Sequence, residues 1–371
     1  MHHRFISRSI TIRRLRRRKI LYFNRNIFCK ACLYAFVLFT FILGGNQSKA
    51  QDSPDQNLAG EHENAYQDAK KYQKSITARA TLSNDIGNLD LRDRKYGERT
   101  IRYRRDAELY AGAFVYYNGF GIGSRLGVAD IKNPDAKKVE AFDVTASYFS
   151  RSFGAELYYG RYGRYYISSS PYGGAGLWNY LNRGSRMKSE AGGLNLFLFL
   201  RDFFTLNKSY SYSAAFEQAE KQVKSSGTLF FLLSGDYNRM RSDVSIIPLY
   251  AHELLMFTHL LGLKRWLFGG FAAGIGFAYT LVLPADFFIS TYIALSIRPL
   301  QKELSTCSGT KREFRIDSLR GKGKIYAGYN SDPFFAGICL IYEGILTPCY
   351  RFKAEMWSGD LSVQFFSGVR I

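Results

Sequence analysis

The chain of 371 residues has room for one large domain or two ordinary ones, and its 46% hydrophobic and 16% aromatic content excludes a wholly disordered or collagen-like polypeptide. Lys and Arg number 51 against 31 Asp and Glu, a formal +20, yet eleven of the basic residues lie in the first 50 positions and no acid precedes Asp52, leaving 40 against 31, or +9, for the rest. A charge block at one end reads as a tail or targeting segment rather than a basic face, so an intracellular nucleic-acid binder is disfavoured.

Residues 1–50 have the pattern of a secretory signal peptide. A basic stretch runs to Lys30, an apolar run follows from Ala31 to Gly45, and small residues stand at −3 and −1 of a cleavage point after about Ala50. The apolar run is shorter than the roughly 20 residues that span a bilayer as a helix. Retention of the segment would instead give an inner-membrane anchored protein with a periplasmic β domain. Cys29 and Cys32 belong to the signal, which leaves Cys307, Cys339 and Cys349 and at most one internal disulfide. Residues 51–75 are polar and read as a periplasmic N-terminal arm, followed by one domain over 76–371.

From about Ile76 the apolar residues recur with period two in segments of about ten residues, the spacing of strands with one apolar face. Phe142, Val144, Ala146 and Tyr148 oppose Asp143, Thr145, Ser147 and Arg151. Phe287, Ile289, Ile293, Leu295 and Ile297 oppose Ser290, Tyr292, Ala294, Ser296 and Arg298, and Leu361, Val363 and Phe365 oppose Ser362 and Gln364. Trp266 to Leu283 carries no charge and has the length of a membrane helix, with Gly270 and Gly274 in GxxxG spacing. Within it, however, Gly270, Ala272, Gly274, Gly276, Ala278 and Thr280 occupy even positions and Phe271, Ile275, Phe277, Tyr279 and Leu281 odd ones. That alternation fits a strand with one face in lipid and one in a crowded lumen.

The segments predict strands near 76–84, 108–118, 119–130, 140–151, 152–166, 191–203, 226–238, 267–282, 286–298, 322–330, 333–343 and 360–371. The fold expected is all-β, a transmembrane antiparallel up-and-down β-barrel of about twelve strands, ten being the lower count. With the N-terminus in the periplasm, the periplasmic links are Asn118-Gly119, Arg151-Ser152, 204–225, Leu283 to Ala285 and Ser331-Asp332. Four of these are tight, and the outer connections are long, the asymmetry of outer-membrane barrels. The 204–225 link breaks the pattern and is expected to be a plug or a periplasmic flap.

Several short aromatic motifs follow in order along the chain: Thr100-Ile-Arg-Tyr-Arg104, Tyr117-Asn-Gly-Phe-Gly-Ile-Gly123, Tyr159-Gly-Arg-Tyr-Gly-Arg-Tyr165, Tyr210-Ser-Tyr-Ser-Ala-Ala-Phe216 and Tyr326-Ala-Gly-Tyr-Asn330. With these the chain resembles a family of exported bacterial β-barrel proteins classed as domain of unknown function 4421, over about residues 75–371. The resemblance implies location and fold and assigns no reaction.

Charges within the segments fall on the less apolar face, since a Lys or Arg facing lipid at mid-bilayer costs roughly 2 to 4 kcal/mol. Arg125, Asp143, Glu156, Arg201, Arg298 and Glu343 are the candidate lumen-lining residues, joined on that face by Lys324 and Arg370. Their mixed signs predict no strong ion selectivity. Cys307 and Cys349 fall on outer loops and form a candidate disulfide, whereas Cys339 points inward. No catalytic, cofactor or metal residues stand out. His252 and His259 are seven apart rather than in HExxH spacing, Gly121, Gly123 and Gly127 miss the dinucleotide fingerprint, and Ser242, Asp243 and His252 form a trio with nothing to place them together. The function expected is an outer-membrane barrel acting as a narrow pore, small-solute transporter or structural envelope protein, with an enzyme at the loop mouth as the alternative. Its expected partners are outer-membrane lipid and lipopolysaccharide, the barrel-assembly machinery through the C-terminal strand, and a small-molecule ligand of unknown identity.

Overall fold

The computed structural model describes residues 69–71, 76–94, 99–105, 108–130, 141–163, 165–169, 187–200, 210–247, 257, 260, 262–306, 309–350 and 353–371. The predicted signal segment and most of the polar arm lie outside these residues. In chain order the strands are β1 (Ala69–Lys71), β2 (Ile76–Asp93), β3 (Arg99–Arg105), β4 (Glu108–Tyr117), β5 (Phe120–Asp130), β6 (Ala141–Phe149), β7 (Phe153–Tyr162) and β8 (Tyr165–Ser169). They continue with β9 (Lys188–Leu200), β10 (Glu220–Gln222), β11 (Ser226–Arg241), β12 (Arg265–Val282), β13 (Phe287–Thr306), β14 (Gly309–Asn330), β15 (Phe334–Cys349) and β16 (Ala354–Arg370).

Twelve of these form a closed antiparallel barrel in the order β2, β4, β5, β6, β7, β9 and β11 to β16, with β16 returning to pair with β2 from Ala354↔Asp93 to Arg370↔Thr77. Closure leaves no edge strand, so every barrel strand has neighbours on both sides for its backbone N–H and C=O groups, the condition for crossing a hydrocarbon layer. β3 and β8 pair with each other and extend the wall beyond β2 at one end. β1 and β10 form a separate two-stranded ladder.

All twelve strands expected from the alternation are present, and the chargeless run Trp266–Leu283 falls in strand β12 except for its last residue. In β12, Phe271 and Ile275 face outward at 76% and 65% exposure, while Ala272 and Ala278 are buried in the lumen. An outward apolar belt continues through Phe120 and Ile122 on β5, Leu198 on β9, Ile293, Leu295 and Ile297 on β13, Ile325 on β14 and Phe365 on β16. On β13 and β14 it runs from the pair Phe287↔Tyr329 to the pair Ile297↔Leu319, a length matching the ~9–11 tilted residues that cross a bilayer.

One end of the barrel carries tight turns and the other long connections. At the turn end Asn118 and Gly119 both have positive φ, 47° and 84°, the left-handed pair of a two-residue hairpin whose twist matches its strands. At the loop end the strands overshoot their predicted limits. β13 and β14 continue past a register shift at Arg298/Pro299 to a tip between Thr306 and Gly309, and β15 and β16 reach Cys349 and Ala354. The expected loop at 299–321 is therefore mostly hairpin. Pro299, which has no N–H to give, sits at the shift, where a missing ladder bond costs least.

Candidate functional site

The inward faces stack into four layers along the barrel axis. At the turn end, residues 210–218 of the connection between β9 and β11 pack into the lumen, so this described part of the anomalous 204–225 link is a plug. Its core is a single wide helical turn, Ser213–Glu217, ended by Gln218 in the left-handed region at φ 60°. Aromatic rings fill the space: Tyr212 stacks on Phe149 at 4.0 Å, and Phe216 meets the rings of Tyr326 and Tyr292 edge-on at 5.2 and 6.1 Å. Wall groups hold the plug backbone. Arg79 donates to the Phe216 carbonyl at 2.9 Å and to the Tyr116 hydroxyl at 2.6 Å, and Arg370 donates to the Gln218 carbonyl at 2.7 Å and also to Asn330. The Ser147 hydroxyl donates to Glu217 at 2.7 Å, and the Lys324 ammonium to the Tyr212 hydroxyl at 3.3 Å. Outside the belt, Lys221 pairs with Asp286 on the β12–β13 turn at 2.7 Å, and that bond holds the Asp286 carboxyl below its ordinary value.

The second layer is a network of paired charges. Arg125 bridges Asp143 at 2.8 Å and Asp85 at 3.3 Å, and Ser362 donates to Asp85. Across the lumen, Asp236 accepts from both Arg298 and Arg320, and Arg320 also reaches Glu343 at 2.6 Å. Lys322 joins Glu343 at 3.2 Å, Lys324 faces Glu156 at 3.8 Å, and Asn195 links Glu156 to Ser234 through bonds of 3.0 and 2.8 Å. Of the six lumen candidates read from sequence, Arg125, Asp143, Glu156, Arg298 and Glu343 face inward in this network, and Arg201 lies outside the described residues. Asp85, Asp236, Arg320 and Lys322 belong to it as well. The same even-or-odd count along their strands puts them on the inward face, and that count was the available signal.

The third layer is a cavity on the loop-end side of the charges, lined by residues that include Arg105, Asp360, Tyr162, Trp266 and Phe268. The Arg105 guanidinium lies 4.4 Å over the Tyr162 ring and 3.7 Å from an Asp360 carboxylate oxygen. The fourth layer is an apolar cap. Ile246, Ile247, Phe257, Leu260 and Leu263, from the connection between β11 and β12, are buried against Leu89, Leu91, Ile101, Tyr103, Trp266 and Met356. Tyr103 donates to the Ile246 carbonyl at 2.7 Å, and Asp93 accepts from the Phe257 N–H at 2.7 Å.

Gly121 and Gly123, the partial nucleotide fingerprint, face the rings of Tyr116 and Phe114 instead; a Cβ on Gly123 would stand 2.0 Å from the Phe114 ring. Ser242 is buried in the cap connection, while its proposed companion His252, along with His259, lies outside the described residues. Cys339 faces inward and is buried, as expected. Cys349 is a free, buried thiol three residues beyond Leu346, where the belt ends, and burial pushes its pKa up to about 12. Cys307, its predicted disulfide partner, lies outside the described residues. Among those residues no cluster of His, Cys, Asp and Glu has the arrangement of a metal site.

The chain is similar in outline to solved membrane barrels. The outer membrane protease OmpT from Escherichia coli aligns at a TM-score of 0.39 and 9% identity, over 81% of this chain and 98% of that one. The translocator domain of the autotransporter NalP from Neisseria meningitidis aligns at 0.32 and 10%, over 93% and 98%. The transport unit of the autotransporter AIDA-I from Escherichia coli aligns at 0.32 and 8%, over 89% and 96%. No curated protein matches. Residues 65–370 match the family described as Domain of unknown function (DUF4421), and the chain belongs to that family.

Proposed function

We propose that this protein is an outer-membrane barrel of a Gram-negative bacterium that is closed at rest and passes or receives small solutes when its plug rings part. The apolar belt, the closed ladder and the tight-turn end support the location, with the turn end in the periplasm and the loop end facing out. Export would use residues 1–50 as a signal peptide cleaved after about Ala50. Lipid and lipopolysaccharide would surround the belt, and the barrel-assembly machinery would take up β16.

The observation that carries the reading is the pairing of a polar, ion-paired lumen with a plug packed through aromatic rings. Buried ion pairs are poor stabilisers, and an apolar filling of the same volume would hold a scaffold at least as well. A lumen that keeps its charges is suited to water and solute. The plug at the turn end accounts for closure.

Planar-bilayer recording tests this. The wild-type protein is expected to show no sustained conductance, and Tyr212→Ala with Phe216→Ala is expected to open channels of weak ion selectivity. A large constitutive current from the wild type, or a silent double variant that is correctly folded, would overturn the gated reading. Location is tested separately: in the outer-membrane fraction, the unboiled band on a denaturing gel is expected to run apart from the boiled one, because a closed barrel resists detergent until heated.

A further inference from the structure

The loop-end cavity holds an unusual set of unused hydrogen-bonding groups. Arg105 and Arg298 are 5% and 4% exposed, both line the cavity, and the Nε–H of each has no hydrogen-bond partner among the described residues. A buried donor without an acceptor costs roughly 1–3 kcal/mol, more when it is charged, so two such donors lining one space form a ready site for an anionic oxygen pair. Asp360 shows the opposite feature. Its side chain is 55% exposed although the barrel surrounds it, and its ion pair is the 3.7 Å approach of Arg105. This carboxylate therefore faces the cavity with accepting capacity to spare. Trp266, Phe268 and Tyr162 supply apolar and ring surface beside these groups.

We propose that this cavity binds a small zwitterion with an apolar side chain, of the class of the apolar α-amino acids. Its carboxylate lies on the Arg105 and Arg298 Nε–H groups, its ammonium on Asp360, and its side chain on Trp266 and Phe268. Charge balance selects this class over a simple organic acid or amine. The charged network balances as a whole, with Arg125, Arg298, Arg320, Lys322 and Lys324 against Asp85, Asp143, Glu156, Asp236 and Glu343, and Arg105 and Asp360 offset each other. A net anion or cation would leave an uncompensated charge beside these buried guanidinium groups, whereas a zwitterion leaves none. The inference deepens the small-solute reading above, naming the solute, and rests on it.

Titration calorimetry on the full-length, detergent-solubilised protein tests it with four probes: L-phenylalanine, L-leucine, 3-phenylpropionate, which lacks the ammonium, and phenethylamine, which lacks the carboxylate. Saturable binding of at least one amino acid is expected, with each singly charged analogue about ten- to hundredfold weaker, the worth of one charge-assisted contact. Asp360→Asn is expected to weaken the amino acid by a similar factor while leaving the weak binding of 3-phenylpropionate in place. The analogue series needs only the wild type, so it stands whatever that variant does to folding. Absence of saturable binding by both amino acids, or an analogue that binds as tightly as they do, would overturn the proposal. The conductance of the plug variant is read independently of all four probes, so failure of this assignment is distinguishable from failure of the gated reading.

Discussion

At the scale of single residues, Asp236 is the most exposed to loss. It is the shared acceptor of two guanidinium groups whose side chains are 4% and 2% exposed. Removing one partner of a buried pair strands the other, at about 3–5 kcal/mol. Asp236→Ala is therefore expected to lower the temperature at which the unboiled band converts to the boiled position, more than Glu303→Ala does on the outer surface of the loop-end hairpin. Equal effects would mean that water reaches the two arginines. Cys349 gives a second prediction. An ordinary thiol alkylates faster between pH 7 and 9 as its thiolate fills, but with a pKa raised to about 12 this one is expected to stay slow across that range. Peptide mapping after maleimide treatment of folded protein would report it, and a rise of the usual size would contradict the burial. Much of this chemistry was legible in sequence. Arg125 and Asp143 are neighbours in the β5–β6 register, so an inward parity on two successive strands announces them as a pair. The Asp236 cluster was not legible as a cluster, because Arg298 and Arg320 come from strands 62 and 84 residues further on and meet it only by curvature of the wall.

At the scale of elements, the period-two alternation located every barrel strand because lipid on one side and a crowded lumen on the other enforce it. The strand ends at the loop side were read short for the same reason. Beyond the Arg298/Pro299 shift the outward face is mixed, with Phe314 and Ile316 among polar pairs such as Glu303 with Arg312, and alternation no longer marks a strand. The glycines of β12 were read as small lumen residues, and the structure supplies the neighbour. A Cβ on Gly276 would lie 2.1 Å from the Phe230 ring, which itself stacks on Tyr292 at 5.2 Å. Gly276→Val is thus expected to displace that ring at about 1–3 kcal/mol, the usual cost of overpacking. A thermal shift assay on the purified variant would detect it, and Gly276→Val should cost less in a Phe230→Ala background than in the wild type. The plug was anticipated only as an exception to the turn-length rule, since nothing local in Tyr210 to Phe216 says whether those rings pack inward or hang free.

At the scale of the whole molecule, the outer surface divides into a belt and a water-facing collar, and the same substitution should be read differently by each. Ile293→Arg, in the belt, is expected to cost roughly 2–4 kcal/mol and to reduce the folded band after refolding into vesicles. Thr310→Arg is expected to change little, because Thr310 is exposed near the hairpin tip beyond the belt's end, where its hydroxyl meets that of Ser305 at 3.0 Å. Similar losses at both sites would mean that the hydrocarbon layer reaches further up the wall than Ile297. The plug is held at the seam of the barrel. Arg79 on β2 and Arg370 on β16 stand two residues apart in register across the seam between the first and last barrel strands, and they grip plug carbonyls also two residues apart, those of Phe216 and Gln218. A segment from the middle of the chain thus bridges the joint between the first and last barrel strands. The plug is placed to act as the template on which the two chain ends find their register, so that the cylinder shuts around its own stopper.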